Sequence, residues 1–495
     1  MIVFICMCLV TFWLLYHGLN SIWKPRNFPP GPWGLPFVGS FYHISGDYSR
    51  NAKTLVQKYG NIIGLKLKGV NVVCINGYDL FKQVMTDNPK CFSDRACQLP
   101  QTIIRGEKHE GIVTTPYGPQ LLAHRKLFYS VLRNMGLNHY SFEKIIIEEL
   151  PYLIEELKAC VSDGKSTINP CAVFDYAALN VLAYFTFGNR YSYKDEKFKF
   201  LLGKNLKCFE MMSKINTPSF LFVSYIPFLY KIWLPHNARV IKEGCRDIAE
   251  FVESEVTYHK ASLDPKNPRD FIDHYLIEVT SNHSHLFTDS FLKMTIMDFF
   301  QAGTETTSTT LKWAVLYMVN NPEVQEKVQN EIDRELAFHG MPKYEDRLKM
   351  PYTEATVLEI QRKANIAPIG LVHVANKDTK LGKYDIPKST YILPIYESIH
   401  HSHKYWKNPS QFDPENFLDQ DGKVGTRSTF MPFGGGLRVC LGMNIAKQEL
   451  FLFFVTMLQH FKLQLPPGVS KLDEEYVPGF TLQPKPYEIV MSSRF

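Results

Sequence analysis

None of the ten cysteines in this 495-residue sequence stands in C-x-x-C spacing, and no short disulfide framework can be drawn among them. That excludes a zinc ribbon or a disulfide-stapled scaffold and leaves most of the cysteines as small buried hydrophobes. The excess of positive charge is mild. The net charge is only +6 and no Lys/Arg-dense stripe is interleaved with aromatics, so no nucleic-acid partner is expected. Repeats, low-complexity tracts and linker-like stretches are missing as well. A length that allows roughly three domains therefore reads as one large globule.

The first 23 residues carry no charge unless His17 is protonated, and they lack both a basic n-region and a small-residue cleavage site. A cleaved secretory signal would show both. Their length and apolarity instead predict a membrane-spanning anchor over 1–23. Lys24 and Arg26 follow it, which places the remaining chain on the cytosolic side. Phe28-Pro29-Pro30-Gly31-Pro32-Trp33-Gly34 predicts a stiff, non-helical hinge over 24–40, because proline fixes φ and removes a donor. Residues 41–495 form the folded body. In it, β-like runs at Ile62–Leu67 and Val70–Ile75 meet at a Lys68-Gly69 turn. Helical patterns cover Gly118–Arg133, Phe142–Cys160, Phe174–Phe187, about Thr288–Val319, and Pro322 to near Phe338. Strand signals return over Leu381–Pro394. The expected class is mainly α with a minor β region.

One cysteine differs from the rest. Phe433-Gly434-Gly435-Gly436-Leu437-Arg438-Val439-Cys440-Leu441-Gly442 precedes an apolar helical run, Leu441–Leu458. Three glycines permit a backbone path that side chains would block. A helix N-terminus and a nearby arginine lower a thiol's pKa and favour thiolate. Thiolate is the axial ligand that pushes electron density onto haem iron, and Arg438 stands where it could meet a haem propionate. A glycine-rich loop with an incidental buried cysteine is the plain alternative.

The peptide fits F-x-x-G-x-R-x-C-x-G at every fixed position, through Phe433, Gly436, Arg438, Cys440 and Gly442, and resembles the haem-binding peptide of the cytochrome P-450 family. Further motifs appear in the family's order. Glu359 and Arg362 resemble its E-x-x-R pair, with Phe412–Phe417 as the segment that closes on it; Asn416 stands there in place of an arginine or histidine. Ala302-Gly303-Thr304-Glu305-Thr306-Thr307 lies midway along the longest helix and resembles the family's oxygen-binding groove. Its glycine costs about 1 kcal/mol relative to alanine, and its threonines can bond back to carbonyls, so a kink is expected. Arg95, Arg125 and His373 resemble propionate-binding residues, and Pro268–Asp273 resembles a segment of the second microsomal clan, which handles drugs, steroids and fatty acids. The family usually has tryptophan where Leu121 stands.

The resemblance implies a haem-thiolate monooxygenase in the endoplasmic reticulum membrane, with haem b held by Cys440. It implies a proton-delivery pair in Thr306 and Glu305, and a lipophilic substrate among Ala302, Ile366 to Leu371, and Phe480 with its neighbours. Electrons would come from an NADPH-dependent flavoprotein reductase, with cytochrome b5 as an optional second donor. The reductase would dock on His124, Lys126, Arg133 and Lys447. Thr217–Pro235 reads equally as core packing or as a surface dipping into the bilayer. Two rivals stand beside this reading: a haem-thiolate isomerase or dehydratase that needs no reductase, and a non-enzymatic haem-binding membrane protein.

Overall fold

The computed structural model describes residues 1–40, 43, 48–96, 110–134, 141–162, 167–214, 232–280, 285–336 and 340–495. Its longer helices are α1 (Ile2–Asn20), α2 (Tyr48–Tyr59), α3 (Pro119–Asn134), α4 (Ser141–Ser162), α5 (Cys171–Phe187), α6 (Glu196–Ser213), α7 (His236–Ser262), α8 (Phe271–Val279), α9 (Asp289–Asn320), α10 (Pro322–Leu336), α11 (Pro351–Ala364) and α12 (Met443–His460). One five-stranded sheet uses β1 (Ile62–Leu67), β2 (Val70–Asn76), β3 (Asp94–Arg95), β4 (His373–Val374) and β5 (Tyr391–Ile395), in the order β1-β2-β5-β4-β3. The expected mainly helical body with a small sheet is what forms.

Local chemistry sets the ends. Thr288, Asp195 and Asp270 cap α9, α6 and α8, each accepting the amide three residues on. Pro351 opens α11 and Asn365, with φ of 41°, closes it in the left-handed region. The second half of α9 is buried on every side, from Leu311 to Val319, as is α12 from Leu450 to Leu458. A helix apolar all round belongs in the centre of a large protein, and both sit in the main core with α4 and α5.

Segment 24–40 is a seat rather than a hinge. The Lys24 ammonium donates to the carbonyls of Gly31 (2.9 Å) and Gly64 (2.8 Å), and Gly39 bridges to Leu67 of β1. A Cβ at Gly31 would lie 2.0 Å from the Gly64 oxygen, so only glycine allows this approach. The segment 1–23 expected to span a membrane does fold as α1. Among the described residues no helix is long and apolar enough to cross a membrane; the side chains of Ile2, Val3 and Val10 are not among those described. The apolar run at 217–235 falls largely outside the described residues.

Candidate active site

The cysteine peptide forms a tight loop ahead of α12. The Cys440 amide donates to the Phe433 carbonyl at 3.0 Å, closing it. Gly436 has φ of +68°, and a Cβ there would lie 2.0 Å from the Met85 carbonyl oxygen; Gly434, at +70°, leaves room for the Tyr396 hydroxyl. The helix begins two residues later than expected, with Gly442 as its N-cap. Cys440 is enclosed deeply by protein yet open on one side. Burial pushes its thiol up, against the Gly442 backbone amide and Arg125, which pull it down. The lowered pKa expected from a helix end and Arg438 is thus corrected: the helix starts beyond the cysteine, and desolvation wins.

Three arginines and a histidine converge beside this loop. Arg95 of β3 and His373 of β4 are register partners. Arg95 donates to the carbonyls of Leu371 (3.2 Å) and Val372 (3.0 Å), and its Nε has no protein partner among the described residues. The His373 ring bonds the Phe92 carbonyl through Nδ1 at 2.8 Å. Arg438 donates to Ser93 (2.7 Å) and Thr115 (2.6 Å) carbonyls, and Arg125 of α3 to the Val439 carbonyl at 3.0 Å. Burial lowers Arg95 to about 10 and Arg438 to about 9, and repulsion among Arg95, Arg125 and Arg438 adds to it. His373 is held well below its ordinary value by burial and then by Arg95. Asp94 opposes the repulsion only at Arg438.

Helix α9 packs against α12, its Thr307 hydroxyl donating to Glu449 at 3.1 Å. Through Ala302–Thr307 helix α9 is continuous. Gly303 has a packing reason: a Cβ there would meet Leu182 of α5 at 2.6 Å. The Thr306 hydroxyl donates to the Ala302 carbonyl at 2.7 Å, and both residues are accessible although α9 is otherwise buried here. Glu305 is buried. Its Oε1 accepts from Thr481 at 2.8 Å and from Gln483, while Oε2 has no protein partner among the described residues. Burial pushes its carboxyl up, and Lys312, Thr481 and Gln483 oppose the shift. The other expected wall residues have the following contacts. The Leu482 amide bonds the Ile366 carbonyl at 2.8 Å, Leu371 touches Arg95, and the exposed Phe480 ring lies 5.7 Å from Phe209.

Sequence reading missed several participants. Tyr396 and Gln483 come from segments distant in sequence, and Thr481, expected only among the pocket walls, bonds Glu305. Glu449 of α12 is wholly buried and pushed up to about 8 by burial, with only the Thr307 hydroxyl (3.1 Å) donating to it. Nothing in a helical A-K-Q-E-L stretch signals that. Reading also misplaced His124, which is buried against the Phe291 ring (3.7 Å) and bonds Tyr275 at 2.9 Å; it cannot belong to a docking face. Leu121 packs fully buried with Ile112 and Phe291, so a tryptophan there would overfill the core.

Clustered buried cations with an orphaned guanidinium nitrogen require an anionic partner, and the accessible face of an enclosed thiol suits a soft metal. A haem, with carboxylates and an iron, is a group that would answer both needs. A family model described as Cytochrome P450 matches residues 29–491. The chain is 37% identical to cytochrome P450 2B19 of Mus musculus, covering 99% of both chains. It is 35% identical to cytochrome P450 2B15 of Rattus norvegicus (98% of this chain, 97% of the relative) and to cytochrome P450 2U1 of Homo sapiens (95% and 90%). The chain belongs to the cytochrome P450 family. It is a haem-thiolate monooxygenase for lipophilic substrates, with haem b on an axial cysteine thiolate, and its relatives agree with the second-clan resemblance. Membership implies an NADPH-dependent reductase as electron source.

Proposed function

We propose that Cys440 is the axial ligand, that Arg95, Arg125, His373 and Arg438 hold the haem carboxylates, and that Phe433, Gly436 and Gly442 shape the ligand loop. The observation that carries this is the Arg125 bond to Val439, which ties the cation cluster to the residue beside the sulfur. When bound, haem supplies the iron at which dioxygen is reduced and one oxygen atom passes into the substrate. Thr306 and Glu305 manage the protons. The Thr306 hydroxyl, held by Ala302, faces the accessible side of α9. Glu305, whose carboxyl burial pushes up, is steadied by Thr481 beside the wall residue Phe480. The substrate lies among Ala302, Ile366, Leu371 and Phe480. Glu359 and Arg362 are structural.

Thr306→Ala tests the proton role. Haem content and substrate binding should be unchanged, while product formed per NADPH falls roughly tenfold or more, toward the 10²-fold that a positioned proton-transfer group contributes. Hydrogen peroxide accounts for the missing electrons. Thr307 cannot take over, because its hydroxyl is turned to Glu449. Unchanged product yield per NADPH defeats the assignment. Arg125→Ala tests the cation cluster. With tryptophan replaced by Leu121, each remaining contact matters more, and a hydrogen bond to a charged group is worth about 1.5–3 kcal/mol. Haem should pass to excess apomyoglobin on the order of tenfold faster or more; a wild-type rate excludes Arg125 as a carboxylate contact.

In this reading the chain sits in the endoplasmic reticulum membrane by α1, with 24–40 as a rigid connection and 41–495 as a cytosolic catalytic body. Phe4, Ile5, Met7, Leu9, Phe12 and Leu15 are exposed rather than packed on the body. Nineteen helical residues rise about 28 Å, close to the ~30 Å hydrocarbon core. Lys126 and Arg133, exposed on α3 beside Arg125, support a docking face for the reductase and for cytochrome b5.

A further inference from the structure

Helices α6 and α7 pack along each other, and one cysteine from each meets at their interface. Cys208 and Cys245 are both unbridged and both buried; the Cys245 thiol donates to the Cys208 sulfur, and the Cys208 thiol to the Ile241 carbonyl at 3.8 Å. The approach depends on Gly244, where a Cβ would lie 2.6 Å from the Cys208 sulfur. On the outer side of this contact is a groove of about 420 Å³ lined by Lys199, Phe200, Gly203, Lys204, Val240 and Gly244. Gly244 thus separates the groove from the sulfur with no side chain of its own. The bond from Cys245 and the charge of Lys204 both pull the Cys208 thiol down, in spite of burial. Burial raises Cys171, another enclosed cysteine, instead.

We propose that Cys208 and Cys245 form a reversible disulfide that latches α6 to α7 when peroxide reaches them through the groove. The Cys208 thiolate attacks one oxygen of hydrogen peroxide, the O–O bond breaks, and a sulfenic acid and hydroxide result, the latter taking a proton to leave as water. The Cys245 sulfur then attacks the sulfenic sulfur, the S–S bond forms, the S–O bond breaks, and a second water leaves. Two thiols and one peroxide give one disulfide and two waters. The latch has something to hold. Asn205 of α6 donates to the Phe300 carbonyl at 3.1 Å, and Gln301 donates to the Cys245 sulfur at 3.6 Å, so both helices grip α9 immediately before Ala302.

The test exposes the haem-loaded full chain to hydrogen peroxide, quenches, denatures, alkylates free thiols and maps peptides without reduction. A peptide linking Cys208 to Cys245 should appear, both residues should leave the alkylatable pool, and dithiothreitol should restore them, while Cys74, buried in the sheet, stays a thiol. Hydrogen exchange over Glu196–Ser213 and His236–Ser262 should slow in the oxidised protein. Cys245→Ala should abolish the link and leave Cys208 trappable by dimedone; Cys208→Ser gives a second, independent loss of the link. The proposal is overturned if both cysteines remain alkylatable at peroxide doses that oxidise the half-buried Cys91, or if either pairs instead with another cysteine.

Discussion

Cys440→Ala should yield a folded protein that no longer gives the red-shifted Soret band of thiolate-bound, carbonyl-liganded haem, and its monooxygenase activity should fall to background. Folding survives because the residue lies in a loop and its structural bond is made by backbone, the Cys440 amide to the Phe433 carbonyl, which alanine keeps. Helix α12 starts at Met443 and draws its stability from Leu450–Leu458 in the core, so far-ultraviolet circular dichroism should match wild type. Iron loses its ligand because no other described cysteine can replace this one. Cys74 is in β2, Cys208 and Cys245 face each other between α6 and α7, and Cys171 bonds Tyr487. Haem can still be held weakly by Arg95, Arg125, Arg438 and His373, so some pigment with an ordinary Soret position is expected. Retention of the red-shifted band in the alanine variant would remove Cys440 as ligand and the whole site reading with it.

Legibility followed locality. The cysteine loop, the helix around the α9 motif and the α11 pair were readable because each is fixed by residues a few positions apart, where glycine tolerance and helical i,i+3 geometry act directly. The register of Arg95 with His373 was not readable, since it depends on β3 and β4 meeting across a sequence separation of 278, a long-range pairing. The same holds for Thr481 and Gln483 on Glu305. Direction on a helix was the second failure. His124 and Lys126 are two residues apart on α3, yet one faces Phe291 in the core and the other solvent. Charge alone grouped them, and the helical period separates them. Gly303 shows the third: a glycine inside a helix can mean bending or close approach, and only the position of Leu182 decides for approach.

Replacing Arg362 should be among the most destabilising single changes in the chain. Its side chain and that of Glu359 are wholly buried, far from the exposed surface pair that a helical i,i+3 spacing usually means. Guanidinium offers five N–H donors, and each has an acceptor here. Nε and Nη2 reach Glu359 at 2.7 Å each, Nη1 reaches the carbonyls of His400 (2.8 Å) and Pro409 (3.0 Å), and Nη2 also reaches Gln411 (3.0 Å). One side chain thus fastens α11 to two turns of the chain that leads into the cysteine loop. The Glu359 carboxylate also accepts from the Asp413 amide (2.9 Å) and from Asn416 (3.3 Å), the neutral and longer bond expected where relatives have a cation. Removing the guanidinium leaves a buried carboxylate with those two donors and three carbonyls with none, a loss of about 3–5 kcal/mol out of a typical total of roughly 5–15. Lysine cannot repair it, having three donors and no planar fork. Arg362→Ala and Arg362→Lys should therefore both collect mainly as aggregated or haem-free chain, and any soluble fraction should melt several degrees lower. Asn416→Ala, which removes only the 3.3 Å bond, should cost about 1 kcal/mol and retain haem. The combined Glu359→Gln, Arg362→Met change should recover part of the loss, because it leaves no unpaired buried charge. Melting of Arg362→Lys at the wild-type temperature would mean that the fork carries little of the fold, and that the cysteine loop is positioned by its glycines and by α12 alone.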